Sequence, residues 1–228
     1  KELLMSIIII ILELNMDHNF MINKKPAWWN EAKSFLKNND PIMKTIIMNH
    51  NDGSIESRGE PFNALCRTII GQQISVKAAA SIWNKFETGL QEVNPKIIIK
   101  YGNDRLRKFG LSNRKVEYMV GLSNFIIKNP KSINSWENMD DDDVIKELCK
   151  LKGIGPWSAE MFLMFVFLRP NILPLGDLGL RRAVGKNYLN KFDPSYEEVV
   201  AVAERWKPFR SAATWYLWRS IDPIPVEY

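Results

Sequence analysis

From Pro26 onward apolar residues recur at spacings of three and four, and no long stretch alternates with period two, so the pattern predicts an all-α protein. A first helix is expected at 27–38. Residues 51–60 are polar and read as a turn or small strand ahead of Pro61, a residue suited to a first helical position. Across 61–72, Phe62, Leu65, Cys66, Ile69 and Ile70 fall at i, i+3, i+4, i+7 and i+8, a core-facing stripe. Ser75 is placed to cap the next helix, whose stripe runs through Val76, Ala79, Ala80, Ile82 or Trp83, and Phe86. Further helices are predicted at 95–101, 104–109, 114–129, 143–150, 156–168, 178–189, 195–205 and 210–220. The helix at 156–168 is apolar on nearly every side, so it belongs in the core; it is too short to span a bilayer.

Composition narrows the class without naming it. A chain of 228 residues with 46% hydrophobic and 25% charged residues excludes intrinsic disorder, collagen-like repeats and disulfide-stapled miniproteins. The net charge of +5 is unevenly spread: −1 over residues 1–60, +6 over 61–120, −3 over 121–143 and +3 over 144–228. Within the +6 block, Arg105, Arg107, Lys108, Arg114 and Lys115 occupy eleven residues without an acid, a cluster that solvated helix faces usually explain and that only the family resemblance described below turns toward DNA-backbone contact. The acids Asp140–Asp143 read as solvation and dipole compensation at a helix start rather than as a calcium site. Cys66 and Cys149 have no Cys or His at ligand spacing, which excludes a zinc site or a four-thiolate iron–sulfur cluster, and they read as buried free thiols in a reducing cytosol. His18 and His50 lie in polar stretches and receive no role.

Residues 1–25 stand apart as an N-terminal extension. Ten residues from Leu3 to Leu12 are almost all apolar, short of the roughly 20 a membrane helix needs, and no small-residue cleavage site follows. Read-in ahead of a start at Met16 or Met21, or an added strand or helix, is expected instead of targeting.

The chemistry concentrates at 148–160, Leu-Cys-Lys-Leu-Lys-Gly-Ile-Gly-Pro-Trp-Ser-Ala-Glu: a helix end, a Gly-x-Gly turn and a helix opening on Pro156. Two glycines allow a tight turn and close ligand approach, while the unpaired amides of the second helix start face an anion. Many helix hairpins use such glycines merely to turn. After the break at Arg169–Pro170 comes Ile-Leu-Pro-Leu-Gly-Asp-Leu-Gly-Leu-Arg-Arg, with Asp177 at a helix entrance, where an N-cap is the commoner role for Asp.

Together these runs resemble the hairpin, Gly/Pro loop and aspartate of the helix-hairpin-helix DNA glycosylase superfamily, in particular its 3-methyladenine DNA glycosylase II branch. Three further blocks support the resemblance: Pro-Phe-Asn-Ala-Leu followed by Ile-Ile-Gly-Gln-Gln-Ile-Ser-Val-Lys-Ala-Ala-Ala; Gly-Leu-Ser-Asn-Arg-Lys-Val-Glu-Tyr; and Glu-Arg-Trp-Lys-Pro-Phe-Arg-Ser-Ala-Ala-Thr-Trp-Tyr-Leu-Trp. The five blocks keep the family's order between about Pro26 and Ile221.

The resemblance implies a two-lobed helical fold with its site in the cleft, one lobe from about 26–74 plus 186–228 and the other from about 75–185. It implies a monofunctional glycosylase that flips alkylated purines from double-stranded DNA and hydrolyses the N-glycosidic bond. Asp177 matches the catalytic aspartate, Trp157 and Trp218 match base-pocket positions, and Gln73 stands where relatives insert a wedge into the base stack. Phosphate donors are expected at the amides of Gly153, Gly155 and Trp157, with charge from Lys152. The carbonyls of Cys149, Leu151 and Ile154 are expected to hold a monovalent cation, with no other cofactor required. Related glycosylase–lyases carry a Lys nucleophile where this chain has Trp157, so no Schiff base is expected there. Arg219 replaces an aromatic of some relatives, which leaves base preference open. Deaminated or oxidised bases, and non-catalytic DNA binding, stay as alternatives. Trp28, Trp29, Trp83, Trp136 and Trp206 are assigned to packing. A monomeric, prokaryotic cytoplasmic protein is expected, free of membrane partners.

Overall fold

The computed structural model describes residues 25–222; the expectations for residues 1–24 lie outside them. Among the described residues there are thirteen α-helices and no strand. They are α1 (Trp29–Asn39), α2 (Pro41–Asn49), α3 (Pro61–Gly71), α4 (Val76–Leu90), α5 (Pro95–Tyr101), α6 (Asn103–Arg107), α7 (Asn113–Lys128), α8 (Ser132–Glu137), α9 (Asp141–Cys149), α10 (Pro156–Phe165), α11 (Leu178–Val184), α12 (Tyr196–Ala203) and α13 (Arg210–Ile221). No helix among these residues is long and apolar enough to cross a membrane.

Most predicted helices appear within a residue or two at each end, with three differences. The sequence reading passed over α2, although Asp40 caps it through bonds from the Ile42 and Met43 amides and Pro41 opens it. Its Met43, Ile46 and Ile47 are buried at i, i+3 and i+4, a periodic signal shortened by β-branched residues. The six-residue α8, which buries Trp136, was likewise missed. The central helix α10 stops at Phe165 rather than Leu168, whose positive φ of 52° turns the chain out of the helix. Residues 51–60 form no strand.

Helix contacts sort into two groups. In one, α13 packs on α1, α2 and α11, and α12 rests on α11; in the other, α3 packs on α4, α7 and α10, while α5 lies on α7 and α9 on α10. Both groups share one continuous core. The tryptophans assigned to packing do pack: Trp29, Trp83, Trp136 and Trp206 are buried, and Trp28 is half-buried with its indole N–H on the Leu168 carbonyl. Buried Asp40 receives Tyr188 Oη at 2.8 Å and Trp206 Nε1 at 3.0 Å, linking α2 to the turn Gly185–Leu189 and to Glu204–Trp206.

The loop from α10 to α11 is tied down before it reaches Asp177. Ser211 accepts the Ile172 amide at 2.9 Å and donates to the Arg169 carbonyl at 2.6 Å, and Arg210 grips Asn171 at 2.8 Å. The start of α13 therefore anchors the segment that delivers the aspartate.

Candidate functional site

Asp177 is the N-cap of α11, and its Oδ1 accepts the Leu180 amide at 2.6 Å, so the expectation of a capping residue holds. The same carboxylate also collects two indole donors. Trp218 Nε1, from α13, donates to Oδ1 at 2.8 Å, and Trp157 Nε1, from the first turn of α10, donates to Oδ2 at 3.0 Å. Three helices converge on one buried carboxylate. Gly179 allows the approach, because a Cβ there would lie 3.1 Å from Asp177 Oδ1 and 3.2 Å from the Trp218 ring. Trp218 is buried and stacks on Phe165 at 6.3 Å, with the Arg58 guanidinium 4.4 Å from the Phe165 centroid; Trp157 is half-buried. Both expected pocket tryptophans thus reach the site, and both turn their N–H edges toward the carboxylate.

Asp40 shows that such ligation alone is not chemistry, since it too is a buried helix cap holding a Trp N–H. What sets Asp177 apart is its surroundings. Glu160, on α10 one turn beyond Trp157, is the only charged residue of that helix. Burial, and then the negative charge of Asp177, push its carboxyl up from 4.5 to about 7. Sequence reasoning did not single out Glu160, Gly179 or Gln72; the lone acid in an otherwise apolar helix was the available signal for the first.

The hairpin is built around Gly153 at φ +89°, where a Cβ would meet the Tyr118 ring at 2.2 Å, so glycine is required twice over. Leu151 and Ile154 are buried and fix the turn, with the Ile154 amide on the Leu151 carbonyl at 3.0 Å. Gly155 is the N-cap of α10, and nothing lies within 4 Å of where its Cβ would be, so the backbone there is open to a ligand. Gln72 Nε2 donates to the Gly153 carbonyl at 2.6 Å, joining the hairpin to the turn between α3 and α4. In that turn Gln73 is exposed at φ +59°, beside Ile74 and Val76, which are 38% and 50% exposed. A non-glycine residue in the left-handed region costs about 1–2 kcal/mol and is found where structure or function demands it.

The cationic candidates are more locally engaged than expected. Lys152 pairs with Glu117 at 2.9 Å on the surface. Arg105 donates to the carbonyls of Lys100 and Tyr101, Arg107 bridges Asp104 and Asn113, and Lys115 Nζ caps α3 at the Ile70 carbonyl, 2.7 Å away. Cys149 ends α9, so its carbonyl is among the acceptors a helix end leaves without an intrahelical partner, and the Leu151 carbonyl, just past the C-cap Lys150, accepts the Ile154 amide and keeps a second lone pair; neutral carbonyl oxygens are donors of the kind a monovalent cation takes. Cys66 is buried and Cys149 half-buried; burial raises both thiols above their usual range, with Glu60 and Glu160 adding respectively. Asp141–Asp143 occupy the first turn of α9, as expected for dipole compensation, and no cluster of metal-binding side chains occurs among the described residues.

A glycine hairpin whose second helix carries Trp157 onto the buried Asp177 carboxylate is the arrangement of a helix-hairpin-helix protein of the base-excision type. Residues 66–208 match the family model described as HhH-GPD superfamily base excision DNA repair protein, and the chain belongs to that superfamily. It is 32% identical to the Bacillus subtilis protein YfjP, described as a DNA-3-methyladenine glycosylase, over 71% of this chain and 59% of that protein, so it spans about three fifths of that relative's length. A solved DNA-3-methyladenine glycosidase from Bacillus halodurans is similar at TM-score 0.77 and 28% identity, covering 87% of this chain and 92% of that one. The Schizosaccharomyces pombe 3-methyladenine DNA glycosylase solved in complex with abasic DNA is similar at TM-score 0.71 and 27% identity, covering 83% and 96% respectively.

Proposed function

We propose that the protein is a monofunctional DNA glycosylase that flips alkylated purines out of double-stranded DNA and hydrolyses their N-glycosidic bond in base excision repair, leaving an abasic site. The observation that carries this reading is the Asp177 carboxylate, held by two indole N–H groups beside the open hairpin. The Trp157 and Trp218 bonds fix its orientation, and Oδ2 keeps a lone pair for an attacking water. As the base departs, the carboxylate stabilises the oxocarbenium-like sugar and takes the water's proton. An alkylated purine carries positive charge and leaves without a separate acid, which suits a site with one dedicated carboxylate. The indole faces of Trp157 and Trp218 attract such a cation, each contact worth about 0.5–2 kcal/mol.

The amides of Gly153, Gly155 and Trp157 receive a DNA phosphate at the start of α10, and Lys152 exchanges Glu117 for that phosphate. A monovalent cation on the carbonyls of Cys149, Leu151 and Ile154, when bound, supplies charge between hairpin and phosphate. Gln73 fills the gap left by the flipped nucleotide and bonds the orphaned partner base. The relatives named as 3-methyladenine glycosylases and the neighbour solved with abasic DNA support the substrate class. The enzyme acts on chromosomal DNA in the cytoplasm.

Mass spectrometry of bases released from methylated duplex DNA tests the reading. Free alkylated purines should appear, with strands intact until alkali is added. No alkylated base, or strand scission without alkali, overturns it.

A further inference from the structure

Beyond the hairpin, the structure carries a second feature suited to a nucleic-acid strand. Leu178, Arg182 and Lys186 are exposed and spaced by four along α11 and its continuation, the π-helical turn Gly185–Leu189. The row starts at the residue after Asp177 and runs about 12 Å at 1.5 Å per residue, the axial span of three to four nucleotides of one strand at about 3.4 Å each. It leads to a cavity of about 450 Å³ lined by Arg182, Lys186, Asn190, Lys191, Phe192 and Ile221. Phe192 is 80% exposed, a large apolar ring at the rim, with the Arg182 guanidinium 5.5 Å from its centroid.

The nearby acids are occupied by other bases: Asp193 by Arg181, and Glu198 by Lys191 at 2.8 Å. No carboxylate among the described residues pairs with Arg182 or Lys186. Cations with no acid partner among the described residues, set beside an exposed aromatic ring, are the combination that tracks a phosphate backbone and stacks its bases.

We propose that Leu178, Arg182, Lys186 and Phe192 form a track for the DNA strand bearing the flipped nucleotide, with Arg182 and Lys186 on successive phosphates and Phe192 against a flanking base. The inference rests on the glycosylase reading: the sugar undergoing cleavage sits at Asp177, so the next nucleotides of that strand are the ones that reach Leu178 and beyond.

The test compares the full chain with the double variant Arg182→Gln/Lys186→Gln, with Phe192→Ala, and with Gly155→Ala as a hairpin control. Affinity for an abasic-site duplex is measured between about 50 and 200 mM salt, alongside single-turnover base release at saturating protein. The double variant should lower the slope of log affinity against log salt by about 1.8, at about 0.9 per phosphate contact, with the saturated release rate unchanged. Phe192→Ala should weaken binding with the slope intact. Shortening one duplex arm should weaken the wild type and leave the double variant indifferent. An unchanged slope in the double variant, while Gly155→Ala lowers affinity, overturns the track and leaves the glycosylase reading standing. Binding of a mononucleotide through Arg182, with duplex binding unaffected by the double variant, also overturns it. A wild type without salt-dependent duplex binding overturns the glycosylase reading itself.

Discussion

Glu160→Gln replaces a carboxyl that stays protonated to about pH 7 with a neutral group of the same shape. In the unfolded chain Glu160 ionises near 4.5, whereas in the folded protein burial and Asp177 hold the proton on until about 7. Between those values the native state binds the extra proton, so stability falls as pH rises through this window. Below 4.5 the group is neutral in both states and contributes nothing to the difference. The gap between 4.5 and about 7 corresponds to about 3.4 kcal/mol at 1.36 kcal/mol per pH unit, a ceiling that solvent around a half-buried side chain reduces to about 1–2 kcal/mol. Gln removes this penalty. Urea unfolding of both proteins from pH 4.5 to 8.5 should give matching stabilities at the acid end and a variant more stable by about 1–2 kcal/mol at the alkaline end. That difference raises the melting temperature by about 2–4 °C per kcal/mol for a chain of this size. Parallel curves over the whole range would refute the reasoning, because every other titrating group is common to both proteins.

Asp177→Asn sets an amide N–H₂ against the Trp157 indole N–H or disturbs the Oδ1 pair; base release should drop about 10²–10⁴-fold while duplex binding persists, and full activity in a folded variant would sink the mechanism. Trp157→Phe removes one donor to Oδ2, and single-turnover kinetics should show a slower chemical step together with weaker binding of cationic bases. The two hairpin glycines should separate fold from recognition. Gly153→Ala meets both the positive φ and the Tyr118 ring and should lower the melting temperature by several degrees, at about 1–2 kcal/mol for the backbone alone. Gly155→Ala, at φ −103° with open space around it, should unfold within about 0.5 kcal/mol of wild type yet bind DNA less tightly, as titration of a fluorescent duplex would reveal.

Helices with a clean three-to-four spacing, such as α3 with Phe62, Leu65, Cys66, Ile69 and Ile70, were legible because one buried face repeats over several turns. Two helices escaped this reading: α2, whose buried face is marked only by Met43, Ile46 and Ile47, and the six-residue α8, both held by tertiary contacts of residues such as Met43 and Trp136. The hairpin and Asp177 could be read locally, since turn glycines and a helix cap are sequence-adjacent signals. The two indole bonds to Asp177 join residues 20 and 41 positions apart, and only the fold brings them together. Cation clusters were the least legible feature. Arg105, Arg107 and Lys115 look available in sequence, whereas in space they bind carbonyls and side chains at nearby helix ends.

The bond from Gln72 to the Gly153 carbonyl joins two elements 81 residues apart in the chain, the turn bearing Gln73 and the phosphate-facing hairpin. The two cannot drift separately while that bond holds. Under the proposed function this coupling acts as a fixed gauge: with the hairpin seated on a phosphate, the tip of Gln73 would meet the base stack at one set distance from it. Intact base pairs would resist such a probe and weakened ones give way, so under that reading a mechanical property of the DNA is sampled before any base enters the pocket.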